Sequence, residues 1–494
     1  AGVSRRVEAD LDACRLGHLG SRTCSKKSEA CLDTMAAPKS SRTAETCPNS
    51  LEILGFRPKL DGFMRVLVVG GYGLVGMEII RALTRAGHQV VGFGRSPEMG
   101  RRVAPHVPWN HGDMRKMQVA ADWTPNLSGI DAVVNAAGAL QDGAKDDLKL
   151  VQDGAVRALV TACEAAGVKQ FVQISAPGAV ADARTAFLST KAAGDAALRA
   201  SGLDWTILKP GLVISTGAYG ATGLLRMLAA APVVQPIALA DACVQTVAGS
   251  DVGEAVRAVL LGEVASRRDY DLLEDRAHTL EALLKDVRRW AGRGDALTVW
   301  RAPRWAAFAL GWFADIGGMM GWRSPLRTTA LKSLADGVTG DAGPWREAGG
   351  FRLMQLDETL RSLPSTMQER VFGRAQLVFP FLLVTLSAFW LVSGLIGVAQ
   401  REQAEALIAA RVGDDLAEWL VATGIVLDLL IGWGLLWRKW VRRAAWGSII
   451  VSLGYLATGT SVTPELWADP LGPFVKVLPA IALALAVAAL VEER

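Results

Sequence analysis

A glycine-rich turn between a short apolar strand and an apolar helix constrains this chain more than any other feature. Residues 65–76 read RVLVVGGYGLVG. In such a turn one glycine permits the tight bend, a second lets backbone approach a phosphate, and a third lets helix and strand pack closely. Free amides and the helix dipole then favour an anion, so the pattern predicts a dinucleotide site rather than a ligand-free β-turn-α unit. The residues expected to contact the dinucleotide are Gly70, Gly71, Tyr72, Gly73, Leu74, Val75 and Gly76.

Composition excludes several other classes of protein. The chain has 494 residues, enough for two to four domains, and its net charge of +4 is too small to indicate nucleic-acid binding. The six cysteines form no C-x-x-C pair and no histidines stand at zinc-site spacing, so we expect neither a metal site nor a disulfide framework.

Four regions differ in character along the chain. Residues 1–63 are rich in Ser, Lys and Arg without sustained apolar periodicity, which predicts a disordered extension. Residues 64–295 alternate strand and helix patterns, which predicts a nucleotide-binding domain. Residues 296–370 form a Trp- and Arg-rich connector, and residues 371–494 are strongly apolar.

The alternating pattern predicts an α/β fold with a doubly wound, Rossmann-type parallel sheet. Residues 215–295 are expected to complete it as a small substrate lobe. Strands are predicted at 66–69, 90–93, 132–135, 171–174 and 206–208, and helices at 144–166, 187–200, 251–261 and 279–291.

Residues at the ends of these strands indicate the cofactor. Arg95 follows the second strand, where a carboxylate would suit the ribose of NAD and an arginine suits the 2′-phosphate of NADP. NADP is therefore the expected cofactor, with NAD as the alternative. Asp113 is expected near the adenine or as a helix N-cap. Ala136, Ala137 and Gly138 allow either close approach of a cofactor or a tight turn.

The connector contains four tryptophans among arginines at 299–323. Trp and Arg together suit a helix lying in a membrane interface, and the alternative is a lid helix over the substrate pocket. Gly317 and Gly318 are expected to break this helix.

The last region predicts an all-α transmembrane four-helix domain. Apolar spans can be drawn at 375–398, 417–437, 444–459 and 474–491. Basic residues crowd the loop between the second and third spans, which should therefore be cytoplasmic, whereas the loops at 399–416 and 460–473 are expected outside. The chain is thus expected to be an integral protein of a bacterial-type inner membrane, its nucleotide domain in the cytoplasm and the lipid bilayer its partner.

Asp428 lies near the middle of the second predicted span, where a charge costs several kcal/mol unless it is paired or protonated. We expect either a proton or quinone contact, or an interhelical hydrogen bond to Ser452 or Thr458.

The chain resembles the atypical branch of the short-chain dehydrogenase/reductase superfamily. The resemblance covers roughly residues 64–295 and rests on four motifs, which are GGYGLVG at 70–76, NAAG at 135–138, QISA at 173–176 and WTILKPG at 205–211. It implies that Ser175 polarises a substrate carbonyl and that Lys191 binds ribose. It also implies cofactor contact at Pro210. The family's proton-donating tyrosine falls at Phe187, which has no proton to give.

The missing tyrosine resembles the departures seen in nucleotide-binding relatives such as the accessory subunit of respiratory complex I. The last 124 residues resemble the DoxX-like membrane family, which implies redox work at the membrane, with a quinone or a redox complex as partner. We therefore interpret the chain as a membrane-anchored NAD(P)-binding oxidoreductase. The alternatives are a non-catalytic NADP(H)-binding structural or sensor subunit, and a transport-type membrane domain regulated by nucleotide.

Overall fold

The computed structural model describes residues 63–139, 142–143, 146–324, 326–470 and 472–491. The predicted extension therefore lies outside the described residues, apart from Phe63.

Seven parallel strands form the central sheet, and their order is β3 (Trp109–His111), β2 (Gln89–Gly94), β1 (Arg65–Val69), β4 (Ala132–Asn135), β5 (Gln170–Ile174), β6 (Asp204–Pro210) and β11 (Arg268–Leu272). Each of the five predicted strands forms, with β-branched and aromatic residues buried between helices. The order reverses between β1 and β4, and ligands of such sheets bind at this switch point. The predicted doubly wound fold is confirmed.

Helices cover both faces of this sheet and bury one apolar core on each face. On one face Gly253 lets α7 approach α1 so closely that an added Cβ would lie 2.6 Å from the Glu78 carbonyl oxygen. The helices of this part are α1 Leu74–Arg85, α2 Pro97–Val103, α3 Ala120–Trp123, α4 Ala155–Ala166, α5 Ala186–Arg199, α6 Ala221–Ala229 and α7 Gly249–Leu260.

The helix predicted at 144–166 begins later than expected. Asp142 and Asp147 accept hydrogen bonds from the amides of Leu148 and Leu150, at 2.7 and 2.9 Å, and so cap its first turn. A π-helical turn at Leu150–Gly154 then precedes α4. Side-chain capping by two aspartates, rather than apolar periodicity, sets this boundary.

The small lobe consists of paired short strands and two helices. Strand β7 (Leu212–Ile214) pairs with β10 (Thr246–Ala248), and β9 (Cys243–Val244) pairs with β12 (His278–Thr279). Strand β8 (Val234–Ile237) pairs with β13 (Thr298–Arg301), so the connector supplies a strand to the lobe. The two helices are α6 and α8 (Leu280–Trp290), which share a third apolar core.

A buried carboxylate joins the lobe to the connector. Glu274 is 1% exposed. It accepts hydrogen bonds from the amide of Thr246 at 2.9 Å and from that of Leu356 at 2.8 Å. His278 Nε2 lies 3.1 Å from Oε2 of Glu274, the oxygen that accepts from Leu356. These contacts fix the connector against the lobe.

The connector helix does not break at its two glycines as expected. Helix α9 runs from Arg304 to Met319 through Gly317 and Gly318. An added Cβ on Gly318 would lie 2.7 Å from the Arg327 guanidinium carbon, so glycine here permits close packing. Tertiary contact outweighs the low helix propensity. The other connector helices are α10 Thr328–Ala335, α11 Gly343–Glu347 and α12 Leu356–Ser362.

The C-terminal region is helical, and a helix lies at each of the four predicted spans. Two of them, α13 (Met367–Ala399) and α15 (Asp414–Leu436), are long and apolar enough to cross a membrane, and an 18-residue stretch of each has a mean hydropathy of 2.2 and 1.9, respectively. Helix α16 spans Val441–Val462, and α17 spans Val477–Leu490, which at 14 residues is about 21 Å long. Crossing by all four helices stays a prediction.

The predicted loop at 399–416 is largely a helix, α14 (Arg401–Val412). Good helix formers fill it, and Arg401 pairs with Glu405 one turn later at 2.6 Å.

Candidate functional site

The glycine-rich loop is held between the ends of β1, β2 and β4. The Gly70 amide donates to the Phe93 carbonyl at 2.9 Å, and Gly70 has a φ of +75°. An added Cβ on Gly70 would lie 2.7 Å from the Ala137 Cα. Helix α1 begins at Leu74, and its N-cap residue Gly73 has no side chain to satisfy the first-turn amides. Those uncapped amides fit a pyrophosphate, as the sequence predicts.

Tyr72 of this loop packs against the end of β2. An added Cβ on Gly94 would lie 2.4 Å from the Tyr72 ring, and the Tyr72 hydroxyl accepts a hydrogen bond from the Arg95 amide at 3.1 Å. The ring also lies 5.9 Å from that of Trp109, centroid to centroid. The Tyr72 side chain therefore holds the loop against the end of β2.

The two charged residues predicted near the adenosine half both have protein partners. Arg95 Nη1 lies 2.8 Å from Asp146 Oδ1. Asp113, which follows β3, lies 2.5 Å from Arg115 Nη2, and this guanidinium lowers the pKa of the Asp113 carboxyl. Asp113 also accepts the Arg115 amide at 3.2 Å. Its placement near the adenine stays a prediction.

The small residues after β4 connect the glycine loop to the candidate catalytic lysine. Buried Asn135 accepts a hydrogen bond from the Ala137 amide at 3.2 Å and donates to Gln173 at 2.9 Å. The Ala136 amide donates to the Val69 carbonyl at 3.0 Å. An added Cβ on Gly138 would lie 3.5 Å from Lys191 Nζ. The NAAG segment thus lines one continuous edge with the loop and the lysine.

Lys191 and Ser175 meet at the end of β5, as the family resemblance implies. Lys191, on α5, is 6% exposed and donates from Nζ to the Ile174 carbonyl at 2.9 Å. Burial lowers the pKa of its ammonium, while Asp195 opposes the shift. The Phe187 ring centroid lies 5.9 Å from Lys191 Nζ. An apolar ring therefore stands one turn before the lysine, where the tyrosine would be.

Pro210 ends β6, beside β5 in the sheet, and is buried. Its contact with a cofactor stays a prediction, as do the roles of the other predicted site residues.

Two polar residues that sequence reasoning missed adjoin this pair. Ser175 Oγ donates to Asp195 Oδ2 at 2.5 Å, and Asp195 is fully buried. Gln152, in the π-helical turn, donates to the Ala139 carbonyl at 2.5 Å and accepts from Thr190 at 2.9 Å. Asp195 stands four residues after Lys191, a spacing that would have placed both on one face of α5. For Gln152 the sequence holds no comparable signal.

Connector residues close one edge of the site. Arg323 binds the second oxygen of Asp146 at 2.8 Å and donates to the Tyr219 hydroxyl at 3.2 Å. Its neighbour Trp322 donates from the indole to the Leu436 carbonyl, at the end of α15, at 2.6 Å. The edge of the nucleotide site is therefore in contact, through two consecutive residues, with the apolar helices.

Asp428 is buried between α13, α15 and α16, with partners other than those expected. It accepts hydrogen bonds from Ser393 at 2.6 Å and from the Tyr455 hydroxyl at 2.7 Å. The prediction of Ser452 or Thr458 as partner was wrong, because Tyr455 is long enough to reach the carboxylate from α16. A proton or quinone contact at Asp428 stays a prediction.

Two known protein families match separate parts of the chain. Residues 70–248 match the NAD(P)H-binding family, and residues 387–485 match the DoxX-like family. The photosystem II assembly factor Ycf39 of Synechocystis is 34% identical over 153 residues, which are 30% of this chain and 44% of that protein. The NAD(P)H azoreductase of Xenophilus azovorans is 31% identical over 147 residues, 30% of this chain and 47% of that protein.

A third relative is matched over most of its length. The UPF0659 protein YMR090W of Saccharomyces cerevisiae is 33% identical over 186 residues, 33% of this chain and 75% of that protein. The chain spans less than half the length of the other two relatives. It belongs to the NAD(P)H-binding family of atypical short-chain dehydrogenase/reductase type that includes the yeast protein, and carries a DoxX-like domain at its C-terminus.

Proposed function

We propose that this protein is a membrane-anchored, NADPH-dependent reductase of a carbonyl or quinone acceptor. The observation that carries the proposal is the position of Lys191 and Ser175 at the end of β5, next to Gly138 and the glycine-rich loop. A loop that holds a pyrophosphate and a lysine that holds a ribose would orient the nicotinamide toward this point.

The chain's own residues would bind and orient, while a bound NAD(P)H would supply the hydride. The Lys191 ammonium has three donors, and among the described residues only the Ile174 carbonyl accepts from it, so two donors would serve ribose hydroxyls. Ser175 would hold the acceptor oxygen. Phe187 would exclude water from the face of the lysine without offering a proton.

The azoreductase relative supports a reductase, since its name describes reduction with NAD(P)H. The Synechocystis relative supports the second candidate, a non-catalytic NADP(H)-binding subunit, since its name describes assembly of a complex. Phe187 favours that second candidate, because a site without the usual acid can bind a cofactor and turn over slowly or not at all.

Lys191→Met tests the proposal. We expect purified protein in lipid to oxidise NADPH when a quinone or carbonyl acceptor is added. Lys191→Met should weaken NADPH binding about 10- to 100-fold, because a hydrogen bond from a charged donor contributes about 1.5–3 kcal/mol. Turnover and NADPH affinity are the measurements.

Lys169→Met is the matched control, since Lys169 is exposed on the surface and should change neither quantity. Tight NADPH binding with no acceptor-dependent oxidation would refute the reductase and leave the non-catalytic subunit.

The preference for NADP over NAD is proposed from Arg95. Its guanidinium would exchange Asp146 for the 2′-phosphate, which fits the planar fork of arginine. We expect Arg95→Ala to lower NADPH affinity about tenfold and to leave NADH affinity within about twofold. Asp146→Asn should instead raise NADPH affinity, because it removes the carboxylate charge that competes with the 2′-phosphate for Arg95. Titration with both nucleotides measures each effect, with Arg85→Ala as the control. Equal losses for NADPH and NADH in Arg95→Ala would contradict this assignment.

The bilayer is proposed as the partner of the C-terminal helices and of α9. Large apolar side chains of α9 point outward, among them Trp305, which is 74% exposed, while Gly311 and Gly318 pack inward. Trp322 connects α9 to the end of α15, next to the basic residues Arg438, Lys439, Arg442 and Arg443. By the positive-inside tendency this end would face the cytoplasm of a bacterial-type inner membrane. A quinone dissolved in that membrane, or a redox complex within it, would then be near the site.

A further inference from the structure

Asp195 is a buried acid directly behind the serine of the candidate site. It lies on α5, one turn after Lys191, and its Oδ2 is 2.5 Å from Ser175 Oγ. It is fully buried, and within the described part of the chain its Oδ1 has no hydrogen-bond partner. Ion pairing therefore does not account for this carboxyl, which makes one hydrogen bond where two oxygens could accept several.

The proposed reduction lacks a proton donor in the usual place. Phe187 presents a ring to Lys191, and a serine hydroxyl alone is a poor general acid because its pKa is far above working pH. The proton must therefore reach the acceptor oxygen through a group at the end of β5. Ser175 is that group, and Asp195 is its hydrogen-bond partner.

Charges around Asp195 come from four elements. Lys191 and Arg199 share its helix, and Asp269 faces it from β11. Lys209 of β6 lies 2.7 Å from Asp269, and Arg157 of α4 pairs with Asp153 while its guanidinium reaches the Ala193 carbonyl. Burial dominates over these charges and raises the pKa of Asp195 above its ordinary value.

We propose that Asp195 is a proton reservoir that acts through Ser175 when this protein reduces a C=O group. The inference rests on the proposed function. When Asp195 is protonated, the direction of the 2.5 Å hydrogen bond reverses. Asp195 then donates to Ser175 Oγ, and the serine hydrogen is directed at the acceptor oxygen.

The step balances as a two-electron reduction. The acceptor carbon receives the hydride supplied by bound NAD(P)H, so the nicotinamide is oxidised and the C=O bond becomes C–O. The acceptor oxygen takes the Ser175 proton, and Ser175 Oγ takes the Asp195 proton. Asp195 remains as a carboxylate near Lys191 and regains a proton from water before the next turnover. Ser175 is thus the catalytic residue and Asp195 the positioning residue behind it.

Asp195→Asn tests the relay, because asparagine keeps the shape and a hydrogen bond to Ser175 but has no acidic proton. We expect kcat to fall about 100-fold with little change in the KM for NADPH, and Asp195→Glu to restore part of the loss. The wild-type rate should fall as pH rises through the raised pKa of Asp195, and this decline should vanish in Asp195→Asn. Asp182→Asn, at an exposed site, is the control.

A second measurement needs no turnover. Because the folded state holds this proton more tightly than the unfolded state, the stability of the wild type falls as pH rises from about 4 through the raised pKa. The Tm of Asp195→Asn relative to wild type should therefore rise over the same interval. A Tm difference that is constant with pH would mean an ionised, structural Asp195 and would overturn the relay.

The two failures are distinguishable. A constant Tm difference together with acceptor-dependent turnover overturns the relay alone. The pH-dependent Tm difference without turnover for any acceptor overturns the reductase, and the relay with it.

Discussion

Gly70→Val should abolish measurable dinucleotide binding, with affinity falling at least about 100-fold, which corresponds to about 2.7 kcal/mol. Two effects act together. Gly70 has a φ of +75°, a conformation that a β-branched residue adopts only with strain. An added Cβ would also lie 2.7 Å from the Ala137 Cα and 2.8 Å from its amide nitrogen. Both neighbours are backbone atoms, so the loop itself must move away from the phosphate position.

NADPH titration followed by energy transfer from tryptophan measures this effect, and circular dichroism reports whether the sheet is retained. Gly294→Val is a matched control, because Gly294 lacks a positive φ and an added Cβ there has no atom within 4 Å among the described residues. It should bind NADPH as the wild type does. Binding by a folded Gly70→Val within threefold of wild type would mean that this loop is not the phosphate site.

Val384→Arg should destabilise the C-terminal helices by about 3 kcal/mol, because we propose that α13 crosses the bilayer with this residue near its centre. Val384 is 61% exposed. On a water-facing helix the change from an exposed valine to arginine would be within about 0.5 kcal/mol of neutral. The size of this loss of stability therefore distinguishes a lipid-facing α13 from a water-facing one.

Val371→Arg is the control on the same helix. Val371 is 52% exposed and lies between Arg370 and Arg374, before the predicted span, so arginine there should have little effect. Thermal unfolding in lipid nanodiscs and the fraction retained after alkaline carbonate washing measure both variants. If Val384→Arg proved neutral and carbonate released the wild type, α13 would not be lipid-facing.

Local patterns in the sequence were sufficient to predict the strands and the glycine-rich turn between β1 and α1, and the family resemblance singled out Ser175 and Lys191. The strands and the turn depend on residues that are near one another in sequence. The predicted helix boundaries were wrong where contacts of particular side chains, rather than apolar periodicity, set them. Helix α9 continues through Gly318 because Arg327 packs against it, and the helix before α4 begins late because two aspartates cap it.

The sequence alone thus determined that the chain holds a doubly wound nucleotide-binding domain followed by apolar helices, since both follow from periodicity and glycine spacing. Only the tertiary structure placed Asp195 behind Ser175 and joined Arg95 to Arg323 through Asp146. It also showed that Tyr455, rather than Ser452 or Thr458, binds Asp428. The partners of a buried carboxyl or of a long side chain depend on distances in the folded chain, and spacing along the sequence does not specify those distances.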